Sequence, residues 1–86
     1  MDDAQVQARI EALEDEERRL RADEAGAAAG SETDKLAADR RRLEEVRVEL
    51  DRFWDLLRQR RALRDAGRDP AEAQLRDGGT VEGYLG

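Results

Sequence analysis

Leu36-Ala37-Ala38-Asp39-Arg40-Arg41-Arg42-Leu43-Glu44-Glu45-Val46-Arg47-Val48-Glu49-Leu50-Asp51-Arg52-Phe53-Trp54-Asp55-Leu56-Leu57 is the stretch that decides the fold of this 86-residue chain. Leucines at 36, 43, 50 and 57 recur every seven residues, and Val46 and Phe53 each follow one of them by three. That spacing is the a/d seam of a helix that packs lengthwise on another helix, interrupted at Asp39 and ending at Arg60. Towards its end the apolar stripe widens to take in Trp54, Leu56 and Leu63. Gly67 supplies a stop after Ala66, so the sequence predicts a helix over about 32–66.

Upstream, Val6, Ile10, Leu13 and Leu20 step by 4, 3 and 7, one stripe of a helix, with Glu17 at the remaining stripe position. Asp2 or Asp3 caps its start, which places the first helix at about 3–24. Residues 25–31, Ala-Gly-Ala-Ala-Ala-Gly-Ser, read as a linker, because each glycine disfavours helix by about 1 kcal/mol relative to alanine, while the alanines leave open that it is partly helical. Ser31 and Asp34 form a variant capping box for the second helix. Downstream, Asp69-Pro70 reads as N-cap and first helical position of a short segment over about 70–75. Asp77-Gly78-Gly79 reads as a turn, and 80–86 as a mobile or docking tail.

The fold class is therefore all-α. Residues 1–66 form a long antiparallel, coiled-coil-like two-helix hairpin, and 67–86 carry a short helical segment and tail. Folding back at Ala28 would set residue i opposite residue 56−i, pairing Leu20 with Leu36, Leu13 with Leu43, Ile10 with Val46 and Val6 with Leu50. Phe53, Trp54, Leu56, Leu57 and Leu63 then lie beyond the end of the first helix. A patch of that size is rarely left in water. Two arrangements cover it: a second copy of the chain, or a return of Leu75, Val81, Tyr84 and Leu85 over it. The homodimer is preferred, because a bare two-helix hairpin buries too little surface. The expected interface is Leu50, Phe53, Trp54, Leu56, Leu57 and Leu63.

Composition narrows the chemistry. The chain has no histidine and no cysteine, so it offers no imidazole base, thiolate nucleophile, disulfide or cysteine–histidine metal site. Ser-His-Asp and Cys-His catalysis and the common zinc hydrolases are excluded. The reading is that the chain is not an enzyme and needs no cofactor or metal. Glu14, Asp15, Glu16 and Glu17 do not converge, since adjacent helical residues point around the axis, and they read as a solvated face.

Sixteen basic against twenty-two acidic residues give a net charge of −6, unevenly spread: −5 over residues 1–30, +1 over 31–66 and −2 over 67–86. An acidic chain repels nucleic-acid phosphate overall. The exception is Arg58, Arg60, Arg61 and Arg64, read first as compensation of a helix C-terminus and second as an anion or partner contact. Val81, Tyr84 and Leu85 form a candidate docking tail that alternatively packs on the chain's own helices. No stretch approaches the roughly 20 apolar residues that span a bilayer, and Met1-Asp2-Asp3 lacks a leader pattern, so the expected location is the cytoplasm.

Leu50-Asp51-Arg52-Phe53-Trp54-Asp55-Leu56-Leu57-Arg58-Gln59-Arg60-Arg61 also resembles the central block of a family of short actinobacterial proteins classed as a domain of unknown function. Arg9-Ile10, Leu13, Glu16-Glu17, Leu20-Arg21, Ala66-Gly67-Arg68-Asp69-Pro70 and Val81-Glu82-Gly83-Tyr84 extend the likeness over nearly the whole chain. The resemblance implies a helical hairpin and nothing catalytic. Family members often carry His where Arg18 stands and Cys where Phe53 stands, so a role needing that imidazole or thiol cannot operate in this chain. The function expected is a protein-interaction module, an adaptor or regulator; the alternative is a nucleic-acid-associated regulator using Arg58–Arg64.

Overall fold

A computed structural model describes residues 1–30 and 33–85, with the side chains of 26–30, 33, 84 and 85 left out of the description. It contains α1 (Asp3–Gly30), α2 (Thr33–Asp65), a single 3-10 turn (Pro70–Glu72) and α3 (Gly78–Leu85). The molecule measures 54 × 25 × 14 Å, the outline of a helical hairpin with a strap along one side. Among the described residues no helix is long and apolar enough to cross a membrane.

Several of the described helix ends have a local cause. Asp2 and Gln5 form a reciprocal capping box: the Gln5 N–H donates to Asp2 Oδ1 (2.8 Å) and the Asp2 N–H donates to Gln5 Oε1 (2.9 Å). At the far end of α2, Gly67 adopts φ +73°, the Arg68 N–H donates to Leu63 O (2.8 Å) and the Gly67 N–H to Arg64 O (3.0 Å). These bonds make a Schellman cap, which satisfies carbonyls that the helix leaves open. Asp69 caps the 3-10 turn through the Ala71 N–H (2.9 Å), with Pro70 at its first position. That segment ends after one turn, at Glu72, rather than continuing to Leu75.

α1 does not stop at Glu24. It runs through Ala25–Gly30, so residues 25–30 are helix rather than linker, and the fold-back point moves beyond Gly30. The proposed Ser31 cap and the start at Glu32 lie outside the described residues. The pairing shifts accordingly. The ion pairs that cross the hairpin join Arg9 to Glu49, Glu16 to Arg42, Glu17 to Arg47, Glu24 to Arg40 and Asp3 to Arg60, so opposing residue numbers sum to between 58 and 64 instead of 56.

This shift overturns the reason for expecting an uncovered end. α1 reaches far enough to close over Leu57, and the core is Val6, Ile10 and Leu13 of α1 with Val46, Leu50, Leu56 and Leu57 of α2. Leu20, Phe53 and Ala73 pack against its edges. Leu50, Leu56 and Leu57, expected at an interface between chains, are thus buried within one chain.

The tail is also ordered differently from the reading. Asp77 caps α3, accepting from the Thr80 N–H (2.8 Å) and the Thr80 hydroxyl (3.0 Å), so Asp77-Gly78-Gly79 opens a helix instead of forming only a turn. Val81 is fully buried. Gly78 makes the docking of α3 on α2 possible, because a Cβ there would come within 2.7 Å of Val48 Cγ1.

Two outcomes follow for stability. Leu57→Ala is expected to lower the unfolding free energy by about 2–5 kcal/mol in urea denaturation. Leu75→Ala, at a site 40% exposed, should change it by less than about 0.5 kcal/mol; equal losses at the two sites would contradict the core as drawn. Gly78→Ala should leave α1 and α2 protected from amide exchange but speed exchange of the Val81 N–H, which bonds Asp77 O at 3.2 Å.

Candidate interaction surface

The polar residues of the 50–61 block hold the C-terminal strap against α2. Arg60 donates to Pro70 O (3.3 Å), Gln59 Nε2 to Gln74 O (2.7 Å), and Arg52 Nε to Arg76 O (2.8 Å). The Gln74 N–H returns a bond to Gln59 Oε1 (3.4 Å), so the Gln59 amide pairs with the strap as a neighbouring strand would. Asp55 is the one buried charged side chain among the described residues. It accepts from Gln59 Nε2 (2.9 Å) and faces Arg76 (3.5 Å), partners that offset the cost of burying it. Side-chain bonds to irregular backbone leave little periodic trace, so the anchoring roles of Arg52, Asp55 and Gln59 were not visible in the sequence.

The arginine cluster divides. Arg60 Nε donates to Asp3 Oδ1 (2.5 Å) and Arg64 to Asp3 Oδ2 (2.8 Å), joining the first turn of α1 to the last turns of α2. Hydrogen bonds from Arg60 and then Arg64 hold the Asp3 carboxyl below its ordinary value of 3.8. These two guanidiniums are structural. Arg58 and Arg61 are exposed and form no ion pair among the described residues.

Within the acidic run 14–17, Asp15, Glu16 and Glu17 likewise separate into different ion pairs. Glu16 and Arg42 form a two-pronged pair (2.6 and 2.9 Å) that lowers the Glu16 pKa through the Arg42 hydrogen bonds and raises that of Arg42. Glu17 faces Arg21 and Arg47, and Asp15 pairs with Arg18. Glu16 and Glu17 are therefore half-buried flanks of the hairpin seam rather than a solvated face. No group of three or more acidic side chains among the described residues is placed to hold a metal ion.

Of the expected interface residues, Leu63 and Phe53 are half-buried, the latter beneath Arg9, whose guanidinium lies 5.9 Å from the ring centroid. Trp54 alone among them stays in water, 39% exposed. Arg58 and Arg61 follow it at the next two turns of the same helix face. The pairs Arg9–Glu49 and Asp3–Arg60 bracket this level of the hairpin, and α1 contributes Ala4-Gln5-Val6-Gln7-Ala8 there, with no charge. The structure thus brings together Trp54, Arg58 and Arg61 as an uncompensated surface, and separates them from Arg60 and Arg64. Val81 is buried, as in the packing on the chain's own helices that the sequence left open; the side chains of Tyr84 and Leu85 lie outside the described residues.

Residues 2–86 match the family model described as "Protein of unknown function (DUF2630)". The chain belongs to that family. Uncharacterized proteins of Mycobacterium bovis and Mycobacterium tuberculosis are similar to this DUF2630 chain, each 45% identical over 85 residues, covering 98% of this chain and 91% of the relative. No solved structure matches it.

The Asp3 clamp has a pH signature. Because the folded-state pKa of Asp3 is depressed, its contribution is present above the unfolded value, near 3.8, and is lost as pH falls through the lower folded value. Asp3→Asn should therefore be less stable than wild type at neutral pH in urea titrations, with the gap closing in strong acid. A gap that persists unchanged to pH ~2 would assign the difference to something other than the clamp.

Proposed function

We propose that this DUF2630 chain is a non-catalytic protein-interaction module of the cytoplasm, a small adaptor or regulator that presents one face of its hairpin to another protein. The observation that carries the reading is Trp54, the only tryptophan, 39% exposed on a rigid helix with Arg58 and Arg61 beside it. Tryptophan and arginine are the residue types that most often dominate interface energetics, because they combine a large contact area with directed polar groups. The absence of histidine and cysteine from the sequence removes the commonest catalytic groups and supports the same reading.

The nucleic-acid alternative rests on Arg58 and Arg61 alone, since Arg60 and Arg64 are engaged by Asp3. Two phosphate contacts on a chain of net charge −6 make a weak electrostatic grip.

Trp54→Ala is the deciding variant. It should keep the helical circular dichroism and thermal midpoint of the parent while weakening capture of a protein partner about 30-fold, the effect of losing a 2 kcal/mol anchor. A variant that binds as the parent does would sink the reading. A mobility shift with RNA or DNA at low salt, abolished by Arg58→Ala/Arg61→Ala, would favour the alternative.

A further inference from the structure

The interaction reading on which this inference rests leaves the partner open, and the order of charges on α2 narrows it. Taking the seam residues Val46, Leu50, Phe53, Leu57, Arg60 and Arg64 one position forward gives Arg47, Asp51, Trp54, Arg58, Arg61 and Asp65. These six share one stripe of α2 beside the seam, stepping by 4, 3, 4, 3 and 4. Asp51 is partly exposed and the other five are exposed, and the stripe runs for about 27 Å.

Its order is R-D-W-R-R-D. Laid antiparallel against an identical stripe so that opposing numbers sum to 112, Arg47 meets Asp65, Asp51 meets Arg61 and Trp54 meets Arg58, each twice. Every charge opposes its opposite or an aromatic face. A slip of one heptad either way sets Arg47 against Arg58, or Arg58 against Arg61. Parallel, in-register pairing opposes like with like at every charged position. The sequence of charges therefore selects one register and one direction.

From this self-complementarity we infer that the partner of the Trp54 stripe is a second copy of the same chain, docked α2 against α2 about a two-fold axis that passes between Trp54 and Arg58. The buried Leu50, Leu56 and Leu57 take no part; this is a different surface from an exposed apolar end.

The local fields agree. Around Asp51 the carboxylates of Glu82 on α3 and Glu44 on α2 gather, and the hydrogen bond with Asp51, then burial, then the charges of Asp51 and Glu44 push the Glu82 pKa up. Arg61 of the second copy would arrive at this acidic spot, while Arg58 and Arg61 have no counter-charge from the α1 residues level with Trp54. Arg47 has only a long contact to Glu17, 3.9 Å, and remains available to a better partner. Asp65 forms no ion pair among the described residues.

The test is the solution mass of the intact chain by light scattering over a micromolar dilution series. Wild type should approach twice 9.7 kDa and dissociate as salt is added. Trp54→Ala should raise the dimer dissociation constant about 30-fold through loss of both Trp54–Arg58 contacts. Arg47→Asp alone and Asp65→Arg alone should each be monomeric, because each opposes like charges across the axis. Mixing these two variants should restore a dimer, and so should the Arg47→Asp/Asp65→Arg double variant. Neither rescue repairs the Arg47–Glu17 contact within the chain, so recovery reports pairing between copies.

Wild type that stays at 9.7 kDa throughout, or single variants that fail to complement, would overturn the self-pairing. A monomer whose capture of another protein still depends on Trp54 overturns the dimer and leaves the interaction module standing. A monomer indifferent to Trp54 removes both.

Discussion

Arg60 is where three segments of this chain meet. Its guanidinium holds Asp3 at the start of α1 and Pro70 O at the start of the strap, from a position near the end of α2. Each of those partners is set by its own local chemistry: Asp3 follows directly on the Asp2–Gln5 box, and Pro70 on the Asp69 cap. Once Asp3 sits opposite Arg60, the register of the whole hairpin follows. α1 must then extend well past Glu24 to reach the fold-back point, and it does so through Gly26–Gly30. A cost of about 1 kcal/mol per helical glycine is small against the burial of Leu57, which this register makes possible.

A two-helix hairpin cannot enclose a core by itself, because each helix offers only one face to the other. Here the shortage is met by using α2 twice. One face carries Leu43, Val46, Leu50 and Leu57 to α1. Another, through Arg52, Asp55 and Gln59, binds a strap that brings Ala73 to the core edge and leads into α3, where Val81 is buried. Paired charges flank the α1 seam, with Arg42 reaching both Glu16 on the opposite helix and Glu49 on its own. Exposed pairs of this kind contribute little each, about 0–1 kcal/mol, but together they disfavour slipped registers that would juxtapose like charges.

What was legible in the sequence were the features with short-range causes. The leucine heptads gave α2, Val6, Ile10 and Leu13 gave the buried face of α1, and Gly67 and Asp69-Pro70 marked the end of one element and the start of the next. The connection was misplaced because glycine content is a local signal, and here a tertiary constraint acting at Asp3 and Arg60 outweighs it. That displacement propagated: with the fold-back set at Ala28, Leu57 was left uncovered and a hydrophobic interface was expected where the chain has its own core. The Asp77–Thr80 cap was written in the sequence in the same form as other N-caps, but the two glycines after Asp77 drew the reading towards a turn. In the candidate surface, Trp54 stands out in the sequence as its only tryptophan. The division of the four arginines lies in their spacing, since Arg60 and Arg64 continue the seam that faces α1 while Arg58 and Arg61 fall beside it; what the spacing does not tell is that the partner is Asp3, 57 residues away from Arg60.

That division changes what the net charge means. A net charge of −6 would repel anything acidic, yet Arg60 and Arg64 share Asp3, and Asp15, Glu16 and Glu17 are drawn into pairs with Arg18, Arg21, Arg42 and Arg47. Beside the seam, the order of the charges matters more than their sum. Along the stripe beside the seam, acids, bases and a tryptophan follow in an order that is the complement of its own reverse. The heptad that builds the fold also builds this stripe, because a residue one place after each seam position falls at the seam's margin on every turn. Packing fixes the seam positions as apolar and leaves their neighbours free to vary, so a pattern there is available for recognition at no expense to the core.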